Sequence, residues 1–378
     1  MTPTERLKPP PDRLLTIEER IEALGRFEID LDNEVATAQI REITLFGVKA
    51  LFPILHYLAR GNASTKYYCI RCFIELKNSK QLDELEVFAA PFLSLALLED
   101  NGSVRDMAMS ALAMLGEQAL PAVLRALFYP SENARACAAM LLREVYAKDP
   151  KRNETIVRTL ARMLELERDN TSKFEMITAM AKLEGKPAAQ LEAELPDRLR
   201  ALKQLDERVR HLLKEIDVGE AGDAKNAVRA LAGMGLDALV PIVWYGLVSP
   251  SERVRMGAIT ALAVMGDELV LPFIASKLSD KNEAVRRLAC RALESFGKQA
   301  LPWFLLKAED SGAQTDVRAQ ALCSLGKLGG SDVLEALEGF LEREEPEEVK
   351  KAASDAVRAI TDVRFAELAK EFFDDGEG

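Results

Sequence analysis

The sequence predicts an all-α protein, a right-handed α-solenoid of about ten helix pairs with a longer helix inserted in the middle. The phrase VRDMAMSALAMLG, from Val104 to Gly116, returns as VRMGAITALAVMG from Val254, VRRLACRALESFG from Val285 and VRAQALCSLGKLG from Val317. The last three copies start 31 and 32 residues apart. A unit this short, with apolar residues at helical spacing, cannot bury its own hydrophobic face and must stack on copies of itself. Composition agrees: 48% of residues are hydrophobic but only 6% aromatic, so the core is built from Ala, Leu, Val and Met, as in closely packed helices.

Taken along the chain, residues 1–15 (MTPTERLKPPPDRLL) read as a flexible segment without the apolar core of a signal peptide. Residues 16–185 hold the first repeats. Counting Val104 as position 1, position 13 is Gly116, and the same offset pairs Val35 with Gly47, Lys173 with Gly185 and Asp223 with Gly235. Weaker copies start near Lys66, Ala134 and Val349. Positions 1, 5, 8, 9 and 12, such as Val254, Ala258, Ala261, Leu262 and Met265, form one stripe of a 3.6-period helix, the second of each pair. The closing glycine suits a left-handed helix stop. Prolines at 53, 121, 241, 272 and 302 then open the next first helix, where the missing N–H costs nothing.

The turn inside each pair is polar. Ser131 and Ser251 are placed to cap the second helices, with Glu132 and Glu252 in the first turn. Position 2 is basic at Arg105, Arg135, Arg255, Arg286, Arg318 and Lys350, which predicts an exposed ladder of ion pairs with Asp100, Glu132, Glu252, Asp280, Asp316 and neighbouring acids. Such pairs set register more than stability.

Residues 186–220 break the period. Leu195, Leu202, Val209 and Ile216 recur every seven residues, with Leu199 and Leu213 on the other seam position and Asp206 interrupting it. This predicts a longer inserted helix that packs on the solenoid or pairs with another helix. Repeats resume over 221–373, and 374–378 form an acidic tail.

With V-R-x-x-A-x-x-A-L-x-x-x-G followed by A-L-P in view, the chain resembles the HEAT-like repeat proteins of the armadillo superfamily over most of residues 35–373. Its units are shorter than the usual 40 to 47 residues and are similar to the compact bacterial variety also found in phycobilin lyases. The resemblance implies a protein-binding scaffold, with a phycobilin lyase or isomerase subunit as the alternative. The repeated His-Glu pairs of the HEAT-like hydroxylase are absent, and the basic groove of the HEAT-like DNA glycosylases is not promised by this composition.

The net charge of −11 sits at the two ends. Residues 1–34 carry five bases against nine acids and residues 338–378 six against thirteen, which leaves the body neutral. A neutral body argues against nucleic acid as the partner. The longest uncharged run, 238–251, is too short for a bilayer, so the expectation is a cytoplasmic protein with no membrane segment. Five cysteines without an export signal argue against disulfides. Cys69 and Cys72 lie in an apolar helix and read as packed thiols rather than a metal or redox pair. With only His56 and His211 in the chain, no enzyme activity and no cofactor are expected.

If second helices line the concave face, positions 7 and 10 look into an open groove that holds a protein or peptide partner. The polar candidates there are Arg41, Thr44, Arg143, Lys182, Arg229, Arg291 and Glu294. The residues one past the prolines, Ile54, Phe92, Ala122, Ile242, Phe273 and Trp303, form a column that packs adjacent repeats.

Overall fold

In the computed structural model, residues 15–30, 33–145 and 148–374 are described, with side chains to residue 365. The expected flexible start, 1–15, and acidic tail, 374–378, lie outside them except for Leu15 and Asp374. Ten helix pairs follow one another, and no strand occurs among the described residues. The pairs are α1 (Ile17–Leu24) with α2 (Glu34–Thr44), α3 (Leu51–Arg60) with α4 (Ala63–Asn78), α5 (Ala89–Ala96) with α6 (Gly102–Leu115), α7 (Leu120–Ala126) with α8 (Glu132–Leu142), and α9 (Pro150–Leu166) with α10 (Asn170–Glu184). Then come α11 (Ala188–Val218) with α12 (Ala221–Gly233), and α13 (Leu239–Pro241), which widens into a π-helical turn over Ile242–Leu247, with α14 (Glu252–Met265). The last three are α15 (Leu271–Ala275) with α16 (Glu283–Glu294), α17 (Leu301–Glu309) with α18 (Thr315–Leu328), and α19 (Leu334–Glu342) with α20 (Glu347–Asp374).

The local chemistry read from the repeats is realised. Ser131 and Ser251 cap α8 and α14 by accepting from the N–H of Ala134 and Val254. Asn62 and Asn101, which also sit in Asn-x-Ser triplets, cap α4 and α6 in the same way. Glycine takes a positive φ after the second helices at 47, 116, 185, 235, 266 and 297. The ninth unit departs by one residue: Gly329 stays right-handed at φ −84° and Gly330 takes φ +61°.

The long helix is not an extra element. α11 packs on α9, α10, α12 and α14 and stands where the first helix of the sixth pair belongs. Leu202, Val209, Leu213 and Ile216 are buried on its inner side. Asp206, which breaks its heptad, is buried too because it meets Arg162 of α9, whose Nη2 donates to Oδ1 at 2.8 Å.

The course of the solenoid differs from the expected open trough. Beyond α11 the row of pairs turns back, and the first helices of the two halves pack face to face: α3 on α17 and α19, α5 on α17, and α7 on α15. The physical reason is in the first helices themselves. Leu120–Leu124 of α7 and all of α15 are buried, and a helix that is apolar on every side must be covered on every side. A neighbouring repeat covers only two flanks, so the opposite half covers the third. The column after the prolines is accordingly buried, and Phe273 meets the ring of Phe128 across this seam at 5.0 Å between centroids. Second helices form the outer layers on both sides. By length and hydropathy alone, Gly102–Ala126 could cross a bilayer, yet its Val104, Leu112, Leu120 and Leu124 side chains are buried within the protein.

Candidate functional site

The residues expected to line a concave groove stand on the outer layers instead. Arg41, Lys182, Arg229 and Arg291 are exposed on α2, α10, α12 and α16. Thr44 donates to the carbonyl of Arg41 within its own helix. Arg143, just past α8, pairs with Glu175 at 3.2 Å. Arg291 and Glu294 come together in a shallow outer depression with Arg287, Cys290 and Lys327. Glu294 is already engaged there, accepting from Ser324 at 2.8 Å and from Lys327 at 3.2 Å.

The arginine ladder is real, and its rungs at Arg255 and Arg318 are buried rather than exposed. Arg255 donates Nη1 to the carbonyls of Ser249 and Pro250, the free end of the preceding first helix, and Nε and Nη2 to Asp280 at 2.9 Å each. Its side chain is 4% exposed and that of Asp280 6%. Arg135 repeats this with the carbonyls of Tyr129 and Pro130 and with Glu167, and Arg318 with Ala308 and Glu345. Arg286 reaches Asp316 at 3.1 Å. Asp280 and Asp316 were legible as partners. Glu167 and Glu345 were not, although an acid about one repeat downstream marks each rung. Arg105 donates to the carbonyls of Glu99 and Asp100, and Glu252 accepts from Asn282.

Cys69 and Cys72 are fully buried in α4, and burial pushes the Cys72 thiol up to about 12 and Cys69 well above its usual value. Among the described residues no three His, Cys, Asp or Glu side chains converge as a metal site.

The seam between the halves carries the distinctive geometry. At its free end, His56 and Arg60 of α3 meet Glu309 of α17, Arg318 of α18, and Arg343 and Glu345 between α19 and α20. Glu309 accepts from Arg343 at 2.8 Å and lies 2.8 Å from Nδ1 of His56. Glu345 accepts from Arg60 at 2.8 Å and Arg318 at 2.7 Å. Both carboxylates are buried, with 3% and 2% of the side chain exposed. Burial alone would raise the pKa of Glu309, but the hydrogen bond from His56 and the charge of Arg343 hold it at about 2. His56, which offered no catalytic partner in the sequence, is part of this lock.

At the hinge end the seam opens into a cleft of about 860 Å³ between α9, α11 and the π-helical turn. Its apolar wall is Leu166, Leu199, Leu202, Trp244, Tyr245 and Val248. Leu166 and Val248 are 62% and 69% exposed. Trp244 is anchored across the seam against Phe128, with centroids 6.3 Å apart. The Arg210 guanidinium stacks on Tyr245, 4.1 Å from the ring centroid. Gly246 allows the π-helical turn to sit this close to α14, since a Cβ there would lie 2.7 Å from that of Ala258. The Arg162–Asp206 pair closes the floor and Lys203–Glu165, at 2.6 Å, forms the rim. The sequence shows Leu199 and Leu202 as part of a heptad but not the assembled wall or rim, because their parts come from three helices separated along the chain.

A model of the family described as HEAT repeats matches residues 271–358, from α15 into α20. Residues 271–358 carry HEAT repeats. The other pairs repeat the succession of a first and a second helix, so the molecule is an all-α solenoid. No curated protein matches it in sequence. Among solved structures it is similar to an engineered protein, at 17% identity over 91% of this chain and 98% of that chain, with a TM-score of 0.29. A structure of tubulin recruitment by microtubule polymerases with tumor overexpressed gene domain arrays matches at 11% identity over 87% and 92%, TM-score 0.33. Kap121p bound to Ste12p matches at 12% identity over 90% of this chain and 48% of that chain, TM-score 0.34.

Proposed function

We propose that this HEAT solenoid is a non-enzymatic, cytoplasmic scaffold or adaptor for a protein or peptide partner, and that it holds that partner in the hinge cleft rather than in a concave groove. The observation that carries this reading is the cleft wall. Trp244 and Tyr245 with a stacked Arg210, flanked by exposed Leu166 and Val248, is the aromatic, arginine and aliphatic mixture that anchors protein interfaces. The ion pairs at floor and rim are satisfied within the chain, so a partner's apolar anchor displaces little bound charge.

The test is affinity purification from the native cell with the wild type and with a Tyr245→Ala, Val248→Asp double variant, read by quantitative mass spectrometry. The scaffold reading expects specific partners captured by the wild type to fall at least tenfold with the double variant. It expects them to persist with Arg229→Glu on the outer layer. Undiminished capture by the double variant would place the interface elsewhere. Tetrapyrrole absorbance after co-expression with a bilin source separates this reading from the lyase alternative.

A further inference from the structure

Midway along the seam lies a second, smaller pocket of about 240 Å³, lined by parts of α3, α5, α7, α15 and α17. Its apolar side is Leu95, Trp303 and Leu306, with Leu95 38% exposed at the surface. One of its cations, Arg125, differs in one respect from several other cations of the chain. Arg60, Arg152, Arg162, Arg318 and Arg343 each meet a carboxylate, and Lys307 meets Asp310 at 2.8 Å. Arg125, on the wall of this pocket, donates Nη1 to the carbonyl of Pro272 at 2.7 Å and has no carboxylate partner among the described residues. The lining carboxylates do not serve it, because Glu309 belongs to the lock and Asp310 to Lys307. A half-buried guanidinium without a counter-ion is a costly arrangement that a ligand anion relieves.

We infer that this pocket binds a monocarboxylate carried on an apolar body about the size of one amino-acid residue. The carboxylate pairs with the free Nε and Nη2 edge of Arg125, and the body lies against Leu95, Trp303 and Leu306. Arg presents a planar fork that matches a carboxylate and not an amide, and the volume limits the body to one residue. The same chemistry is offered by a free small acid and by the C-terminal residue of a partner peptide. The site is separate from the hinge cleft and does not depend on it.

The probe is N-acetyl-leucine, titrated into the full chain and followed by methyl NMR at Leu95 and Leu306, with N-acetyl-leucinamide as control. The acid is expected to shift both methyl signals at millimolar concentration or below, and the amide to bind at least tenfold more weakly. Arg125→Gln should erase that preference. Leu95→Glu, which supplies a carboxylate from the pocket's own rim, should abolish acid binding while leaving the fold intact, so the inference stays testable if Arg125→Gln fails to fold. A decapeptide ending in leucine distinguishes the sources: tighter binding than the small acid points to a chain terminus, and equal binding to a free acid. Equal binding of acid and amide, persistence of acid binding in Leu95→Glu, or no shift at millimolar concentration would overturn the inference. Val248→Asp should leave the titration unchanged, so a negative result here says nothing against the hinge cleft.

Discussion

The two ends of the seam solve one problem in opposite ways. At the hinge end the halves are joined by the chain itself through α11, so the face-to-face contact needs little more to hold it, and the cleft beside Trp244 and Tyr245 stays open. At the free end no covalent link exists. There, partners up to 287 residues apart, Arg343 and His56, are brought together with Arg60, Arg318, Glu309 and Glu345 in a buried charge network. Closing so long a loop is entropically expensive, and a network with several buried, mutually satisfied charges resists partial opening, since losing one partner strands the rest. The difference teaches that stability and binding surface are segregated along the seam.

The largest effect expected from breaking this contrast is at the lock. Glu309→Gln leaves Arg343 and His56 without their buried carboxylate and should lower unfolding stability by about 3 to 5 kcal/mol, measured by urea denaturation with tryptophan fluorescence. Acid gives the same information without mutation. The folded pKa of Glu309, about 2, lies below its ordinary 4.5. Its contribution is therefore complete above pH 4.5 and is lost as the pH falls through 2. The total is roughly 3 kcal/mol, and a pH series of urea midpoints should be flatter over that window in Glu309→Gln than in the wild type.

At the hinge end the effects shrink. Gly246→Ala pushes a Cβ against Ala258 and should cost about 1 to 3 kcal/mol, with the fluorescence of Trp244 reporting the displaced π-helical turn. Val248→Asp, on an exposed wall, should change stability by no more than about 0.5 kcal/mol in the same urea assay while impairing partner capture. If Val248→Asp destabilised the protein as much as Glu309→Gln, the two ends would not be segregated.

How much of this the sequence displayed follows from the range of each interaction. Caps, glycine stops, proline starts and the apolar stripe of the second helices act within a few residues, and Ser131, Ser251 and Gly116 announced them. The rungs at Asp280 and Asp316 act over one repeat and were visible from the period. The fold-back acts between repeats far apart in the chain, and periodicity carries no such information. Its local signature was present in Leu120–Leu124 of α7 and in α15, short runs apolar on every side, but that pattern suits repeat-to-repeat packing equally well. Arg41, Lys182, Arg229 and Arg291 stand on second helices as the period implies, and the fold-back leaves those helices on the outer layers. Asp206 was read as a break in a heptad, and its partner Arg162 emerged only in three dimensions.

The central claim is that the row of helix pairs is folded in half with its first helices inside. Small-angle X-ray scattering on the monomeric chain tests it most directly. Ten pairs stacked in an open row at about 10 Å each extend roughly 100 Å and would give a radius of gyration near 30 Å or above. The folded-back arrangement requires roughly 20 to 25 Å, close to the scaling for a compact chain of this length, and a value in the open-row range for the wild type would contradict it.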